Sequence, residues 1–217
     1  MTKRFVYVIA GLTQTKATEN GMRNLFEKMC AWRSPDTAVS FMRWCDNAQA
    51  EAEDVVHLVR KVREVEKDEN FQPIILIFSY SYGGGYATPR LVSEFRKRGL
   101  VVTVVVISDG VWRLNLGIGR FGRYIEMLFS PIAITLIGKI RFQSGSVSEI
   151  FWFYQRQREI NDICSWPLGR EPICLGAVIH KGVELNVPHQ SMDDEPAFHA
   201  RCIKEAFLKL GEPPSLR

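Results

Sequence analysis

The chain alternates short apolar runs with longer segments in which apolar residues recur at helical spacing. Runs rich in β-branched and aromatic residues predict strands at residues 5–10, 39–44, 74–78, 101–107, 149–154 and 178–187. Apolar residues spaced three and four apart predict helices at residues 21–32, 47–66, 84–98 and 195–210. This alternation predicts an α/β protein with a mostly parallel sheet of about six strands and helices on both faces.

The alternation runs along the chain without a repeat, a low-complexity tract or a linker. With 217 residues, 46% of them hydrophobic, the chain can bury one substantial core, so residues 1–217 are predicted to form a single domain. The one irregular region is residues 110–148, where glycines and arginines are interleaved with aromatic residues. It follows a predicted strand end, where open α/β sheets place their ligand sites. We expect either a lid or an ordinary helical excursion packed on the sheet.

Charge and cysteine content narrow the class of protein. The 28 basic and 24 acidic residues leave a net charge of +4, too small to indicate a nucleic-acid partner. The five cysteines contain no Cys-x-x-Cys pair and are expected to be reduced, mostly buried thiols of a cytoplasmic protein. The apolar run at residues 5–10 lacks a cleavage site and is predicted to be a strand, not a signal peptide. Residues 127–140 are too few for a spanning helix, which needs about 20.

The candidate nucleophile is Ser81, which comes soon after the predicted strand at residues 74–78 and precedes three glycines at 83–85. A strand that turns sharply into a helix in the pattern Gly-x-Ser-x-Gly presents its serine at the tip of the turn. Here residues 79–83 are Ser-Tyr-Ser-Tyr-Gly, so serine replaces the first glycine. The turn needs small residues beside the nucleophile because larger ones would collide with the returning helix. Serine is small enough to stand there.

A serine hydroxyl needs a base, and the chain has four histidines, at positions 57, 180, 189 and 199. His57 lies in a predicted surface helix ahead of the serine, His180 in a predicted strand, and His199 in the last helix. His189 lies in the loop between the last predicted strand and the last helix, from which it can reach over the sheet edge. His189 is therefore the predicted base.

The acid that orients the base should follow a strand. Asp109 does so, immediately after the apolar run that ends Ile107-Ser108, 28 residues beyond Ser81. Asp162, in the region after the next strand, is an alternative, whereas Asp193 and Asp194 are close in sequence to His189 and are less favoured. Asp109 also begins an Asp-Gly pair, which is typical of a turn or a helix cap. The position of Asp109 after a predicted strand favours its role as the acid that orients His189 over a role as a turn or helix cap.

Acyl transfer also requires hydrogen-bond donors for the oxyanion. One donor is expected from the backbone N–H of the residue after the nucleophile, Tyr82. The other is expected from the loop after the first strand, where Leu12 N–H is the better candidate and Thr13 the next.

With Ser81, Asp109 and His189 in this chain order, the sequence resembles the α/β-hydrolases of the serine esterase and lipase kind, in a compact form. The resemblance covers essentially the whole chain. Residues 186–194 are similar to the end of small hydrolases of bacteria and their viruses. More relatives carry the acid one strand later, so Asp162 stays an alternative, while pancreatic-lipase-like enzymes use the position of Asp109.

The resemblance implies a serine hydrolase that cleaves a carboxylic ester through an acyl-enzyme, with no metal or organic cofactor. The expected partner is a small-molecule ester or acyl compound, and lipase, thioesterase and amidase activities stay open. The basic and aromatic residues of 112–140 would suit either a lid over an apolar pocket or peripheral contact with an anionic membrane.

Two other classes of protein are compatible with the same pattern. The first is a hydrolase fold that has lost catalysis and serves as a binding module, although all three residue types in order argue against it. The second is a nucleotide-binding protein whose residues 81–85 cradle a phosphate at a helix N-terminus. The chain lacks both Gly-x-Gly-x-x-Gly and Gly-Lys-Ser/Thr, and its nearest lysine, Lys97, is at the far end of the helix.

Overall fold

A computed structural model describes residues 1–11, 14–17, 19–110, 140–155 and 171–214 of the chain. The strands are β1 Arg4–Ile9, β2 Thr37–Met42, β3 Ile74–Tyr80, β4 Val102–Ser108, β5 Val147–Tyr154, β6 Val178–Ile179 and β7 Val183–Glu184. The α-helices are α1 Gly21–Met29, α2 Ala48–Glu66, α3 Thr88–Lys97 and α4 Pro196–Leu210. One π-helical turn, Gly83–Ala87, joins β3 to α3, and two short 3₁₀ turns occupy Cys30–Trp32 and His189–Ser191.

The strands form one sheet in the order β2-β1-β3-β4-β5-β6, with β7 also pairing with β5. Every pairing between these strands is parallel. A parallel arrangement requires a crossover between neighbouring strands, and α1, α2 and α3 provide the crossovers among the first four. The C-terminal ends of the strands therefore meet at one edge of the sheet. The predicted fold class, a mostly parallel sheet of about six strands with helices around it, is confirmed.

Side chains alternate between two cores, one on each face of the sheet. Along β1, Phe5, Tyr7 and Ile9 point into the core covered by α2 and α3, whereas Val6 and Val8 point into the core covered by α1 and α4. Strands covered on both faces must be apolar throughout, which explains the continuous runs in the sequence.

The region after β5 differs from the prediction. A single strand over residues 178–187 is wrong, because the structure has two strands of two residues, separated by a segment that contains Lys181 and Gly182. A Cβ at Gly182 would overlap the ring of Trp152, and the Trp152 indole N–H donates to the His180 carbonyl at 3.1 Å. The two short strands, β6 and β7, lie at the sheet edge. Val178 and Val183 are exposed, so no buried face favours one long strand here.

The other boundaries lie within three residues of the predicted ones, except that α3 begins at Thr88, four residues after its predicted start, because the π-helical turn precedes it. Part of the predicted excursion is described: Ile140 and Phe142 are buried in the core, and β5 begins at Val147. Residues 111–139, with most of the proposed lid and membrane contact, lie outside the described residues, as does Asp162. No helix in the described ranges is long and apolar enough to cross a membrane. The described cysteines, at 30, 45, 174 and 202, carry free thiols, and Cys45 is exposed.

Candidate active site

Ser81 lies at the turn between β3 and the π-helical segment. Its φ of +51° is in the left-handed region, which costs a residue with a Cβ about 1–2 kcal/mol. The side chain is almost fully buried, at 6% exposure. The turn is therefore sharp and strained, as the Gly-x-Ser-x-Gly pattern predicts.

The glycines that follow Ser81 supply the space that the turn needs. A Cβ at Gly83 would lie 2.6 Å from the Ala10 carbonyl oxygen and 2.7 Å from that of Ile9. A Cβ at Gly84 would lie 3.4 Å from Ser79 Oγ and 2.7 Å from Ile107 Cγ2. Gly84 is thus required by the close approach of Ile107, whereas the Ser79 hydroxyl would lie at an ordinary contact distance from an added Cβ.

His189 approaches Ser81 from the segment before α4. Its Nε2 lies 2.9 Å from Ser81 Oγ, and the imidazole is buried. Its ring stacks on that of Tyr80, with centroids 5.2 Å apart.

The residues that precede Ser81 and Asp109 both bind the segment that carries His189. The Tyr80 hydroxyl donates to the His189 carbonyl at 2.7 Å, and the Ser108 hydroxyl donates to the Met192 carbonyl at 2.9 Å. The last residue of β3 and the last residue of β4 therefore hold the base in place.

Asp109 lies on the other side of the imidazole. Its Oδ2 is 2.5 Å from His189 Nδ1, and both side chains are buried. Because a carboxylate only accepts, Nδ1 carries the proton, which leaves the Nε2 lone pair to accept from the Ser81 hydroxyl. Gln155 Nε2 also donates to Asp109 Oδ2, at 3.3 Å, and the Asp109 N–H donates to the Phe153 carbonyl at 2.9 Å.

The other candidate residues are placed elsewhere. His57 is exposed on α2, and His180 stacks on Phe151 with its Nε2 3.4 Å from Glu149 Oε2. His199 is buried, and its Nε2 lies 2.6 Å from the Asp193 carbonyl oxygen. Since that oxygen only accepts, Nε2 is protonated and Nδ1 accepts from Lys28 Nζ at 3.1 Å.

The two acids near His189 in sequence point away from it. Asp193 accepts hydrogen bonds from Gln14 Nε2 and from the Gly21 N–H, and Asp194 accepts from Asn24 at 3.5 Å. Burial raises the pKa of the Asp193 carboxyl, and the neighbouring Asp194 adds to this. Asp109 is thus the carboxylate that His189 contacts among those in the described part of the chain.

Of the two expected oxyanion donors, the structure describes Tyr82 but not Leu12. Tyr82 is buried at the start of the helical segment, with a φ of −66°. Leu12 and Thr13 lie outside the described residues, but the preceding Gly11 is next to the nucleophile: a Cβ there would lie 3.2 Å from Ser81 Cβ.

A groove lies between the end of β2, the start of α2 and the segment from Tyr86 to Lys97, and Ser81, Asp109 and His189 are not among its lining residues. The Tyr82 and Tyr86 rings stack with centroids 4.9 Å apart, and the Trp44 ring meets Tyr82 edge-on at the same distance. The groove has a volume of about 640 Å³ and is lined by both basic and acidic side chains, including Arg90 and Glu94.

Four contacting residues were not among the sequence-based candidates: Gln14, Tyr80, Ser108 and Gln155. Gln155 directly follows β5, so the rule that strand ends share one edge could have suggested it. Gln14 carries no such signal, because an amide in a polar loop is common.

The three residues Ser81, His189 and Asp109 can activate a hydroxyl for nucleophilic attack. The serine lies at a strained turn between a strand and a helix, the histidine has an unprotonated Nε2 that can accept the serine proton, and the carboxylate that orients the histidine is buried. This arrangement on a parallel sheet is typical of α/β-hydrolases. No protein-family model matches the chain, and no curated protein matches it.

Several solved structures resemble it weakly. The NocB thioesterase domain from the nocardicin cluster is 15% identical with a TM-score of 0.44, covering 95% of this chain and 94% of that one. YbtT, a type II thioesterase from the yersiniabactin biosynthetic pathway, is 12% identical with a TM-score of 0.41, covering 96% and 93%. An α/β hydrolase superfamily protein from Enterococcus faecalis is 11% identical with a TM-score of 0.40, covering 97% and 91%. Likenesses of this size carry no conclusion about substrate.

Proposed function

We propose that the protein is a serine hydrolase that cleaves a carboxylic ester through an acyl-enzyme intermediate. The observation that carries the proposal is the continuous hydrogen-bonded chain from Ser81 Oγ to His189 Nε2 and from His189 Nδ1 to Asp109 Oδ2. Its three members are buried, and each has a role that suits its protonation state.

In the proposed reaction, the Ser81 proton passes to His189 Nε2 while Oγ bonds to the substrate carbonyl carbon. Asp109 stabilises the resulting imidazolium and keeps its ring oriented. The negative charge on the carbonyl oxygen is received by the N–H groups of Tyr82 and Leu12. When the tetrahedral intermediate collapses, the Nε2 proton goes to the leaving oxygen and the C–O bond breaks.

Deacylation repeats these steps with water as the nucleophile. His189 takes a water proton, the hydroxide adds to the acyl carbon, and the proton then returns to Ser81 as the acid leaves. Thioesters and amides can be cleaved by the same steps, so they belong in the substrate panel beside esters of different acyl length. No step draws on a metal or an organic cofactor.

The test is labelling with a fluorophosphonate, followed by mapping of the modified residue and by hydrolysis of p-nitrophenyl acetate. We expect modification at Ser81, and loss of both labelling and turnover in Ser81→Ala. The matched control is Ser79→Ala, which removes a buried hydroxyl two residues away and should keep both. Near-normal turnover by Ser81→Ala would refute the proposal. Folded wild-type protein that is neither labelled nor active would instead indicate a binding module.

A further inference from the structure

Gln14 joins two segments of the site through its single amide. Its Oε1 accepts from the Gly11 N–H at 3.0 Å, and its Nε2 donates to Asp193 Oδ2. The Gln14 N–H also donates to the Gly11 carbonyl, at 3.4 Å, so both described ends of the loop after β1 are bonded to each other. The orientation of the amide is determined by its partners, since an N–H can only donate and a carboxylate can only accept.

Asp193 is firmly held on its own side. Its side chain is 2% exposed, and its Oδ2 also accepts from the Gly21 N–H at 3.0 Å. A Cβ at Gly21 would overlap the Asp193 backbone, and the Asp193 carbonyl accepts from His199 at 2.6 Å. Asp193 belongs to the segment that begins at His189, so it is a rigid anchor next to the base.

The other end of the contact is next to the nucleophile. Gly11 packs so closely on Ser81 that an added Cβ would lie 3.2 Å from Ser81 Cβ. The peptide N–H that follows Gly11 is that of Leu12, the proposed oxyanion donor. A shift of Gly11 would therefore move this donor relative to Ser81 and His189.

We propose that Gln14 is a positioning residue for catalysis. By hydrogen bonding to both Gly11 and Asp193, it fixes the position of the loop that carries the oxyanion donor relative to the segment that carries the base. This inference rests on the proposed hydrolase function. Glutamine suits the role because its amide offers an acceptor to Gly11 and a donor to Asp193. Leucine offers neither, and ionised glutamate keeps only the acceptor.

The experiment compares Gln14→Leu and Gln14→Glu with wild type, using p-nitrophenyl acetate. Loss of one oxyanion donor typically lowers kcat by about 10²–10³, so a displaced donor in Gln14→Leu should lower it by about 10–100-fold. Because the oxyanion forms only in the transition state, kcat and kcat/KM should fall by the same factor, with KM unchanged. The matched control is Gln49→Leu, which removes an exposed amide–carboxylate bond, to Glu53, on α2 and should keep wild-type kinetics.

Gln14→Glu adds a pH readout that a purely structural role would not produce. A proton shared between the introduced carboxylate and that of Asp193 would restore the donor, so the activity of this variant relative to wild type should fall as the pH rises from about 5.5 to about 8. The same ratio for Gln14→Leu should not change. The other titratable groups near Asp193 are Asp194, His199 and Lys28, and they are the same in all three proteins.

The outcomes separate the two proposals. If wild type hydrolyses the ester and Gln14→Leu keeps kcat within twofold, or loses no more than Gln49→Leu, the positioning role is refuted and the hydrolase function stands. If the folded wild-type protein is neither active nor labelled by the fluorophosphonate, the hydrolase function is refuted and the positioning role falls with it.

Discussion

The backbone strain at Ser81 can be measured by comparing alanine with glycine at two positions of the same turn. Ser81 has a φ of +51°, whereas Ser79 lies two residues earlier in the regular strand β3. Both side chains are buried, at 6% and 0% exposure. Alanine at either position removes the hydroxyl and keeps the Cβ, and glycine removes the Cβ as well. The hydroxyl bonds therefore cancel within each pair of variants.

The magnitude follows from three contributions to the change from alanine to glycine. Glycine loses about 0.5–1 kcal/mol through its greater freedom in the unfolded chain. Removing a buried methyl costs about 0.8 kcal/mol. Both costs apply at 79 and at 81, but only position 81 regains the left-handed strain of about 1–2 kcal/mol. Alanine to glycine should therefore destabilise position 79 more than position 81, by about 1–2 kcal/mol.

The assay is equilibrium unfolding in urea of the four variants, followed by tryptophan fluorescence, which the five tryptophans provide. The quantity of interest is the difference between the two alanine-to-glycine changes in the free energy of unfolding. A difference below about 0.5 kcal/mol would show that the turn at Ser81 is not strained, contrary to the cost expected for a left-handed residue.

Two further predictions concern the carboxylate that orients His189 and the stability of the protein at low pH. Asp109→Asn should lower kcat by about 10³–10⁴, because it removes the negative charge and offers His189 Nδ1 an N–H donor, which favours the wrong ring tautomer. Asp162→Asn should change kcat little; the reverse ranking in ester hydrolysis would make Asp162 the residue that orients His189. Burial, with Lys28 beside it, lowers the pKa of His199, so the unfolded chain binds more protons and stability should fall as the pH drops below about 6.5. Lys28→Met should reduce the loss of unfolding free energy between about pH 7 and about pH 5, measured in urea; an unchanged loss would contradict this.

The strands, the helices and the turn at Ser81 could be predicted because local pattern determines them. Strands buried on both faces must be continuously apolar, and glycines close after a serine allow the close packing that a sharp strand-to-helix turn needs. The two short strands near residues 178–184 could not be predicted, because their apolar residues resemble a core strand but lie exposed at an edge. Whether a segment with a strand-like pattern forms a long strand depends on the residues that pack against it, which are distant in sequence.

The choice of acid depends on register, which the sequence does not reveal. In the structure, Ser79 pairs with Ile107 and Tyr80 with Ser108, so Ser81 and Asp109 leave two neighbouring strands side by side. Chain order alone leaves Asp162 equally able to follow a strand. The bond from Gln14 to Asp193 joins residues 179 apart in sequence, and no local pattern encodes such a contact.

The backbone conformations of Ser81 and Asp109 favour function over folding as the reason for these residues. Three non-glycine residues in the described ranges have positive φ: Lys67, Ser81 and Asp109. Lys67 ends α2, where a left-handed residue is ordinary. The other two come first after β3 and β4, where glycine would relieve the strain but would supply neither a hydroxyl nor a carboxylate. By the contributions given above, the strain that glycine relieves roughly offsets what glycine costs, so stability alone does not select serine or aspartate there. The proposed pairing with His189 gives a reason for both residues.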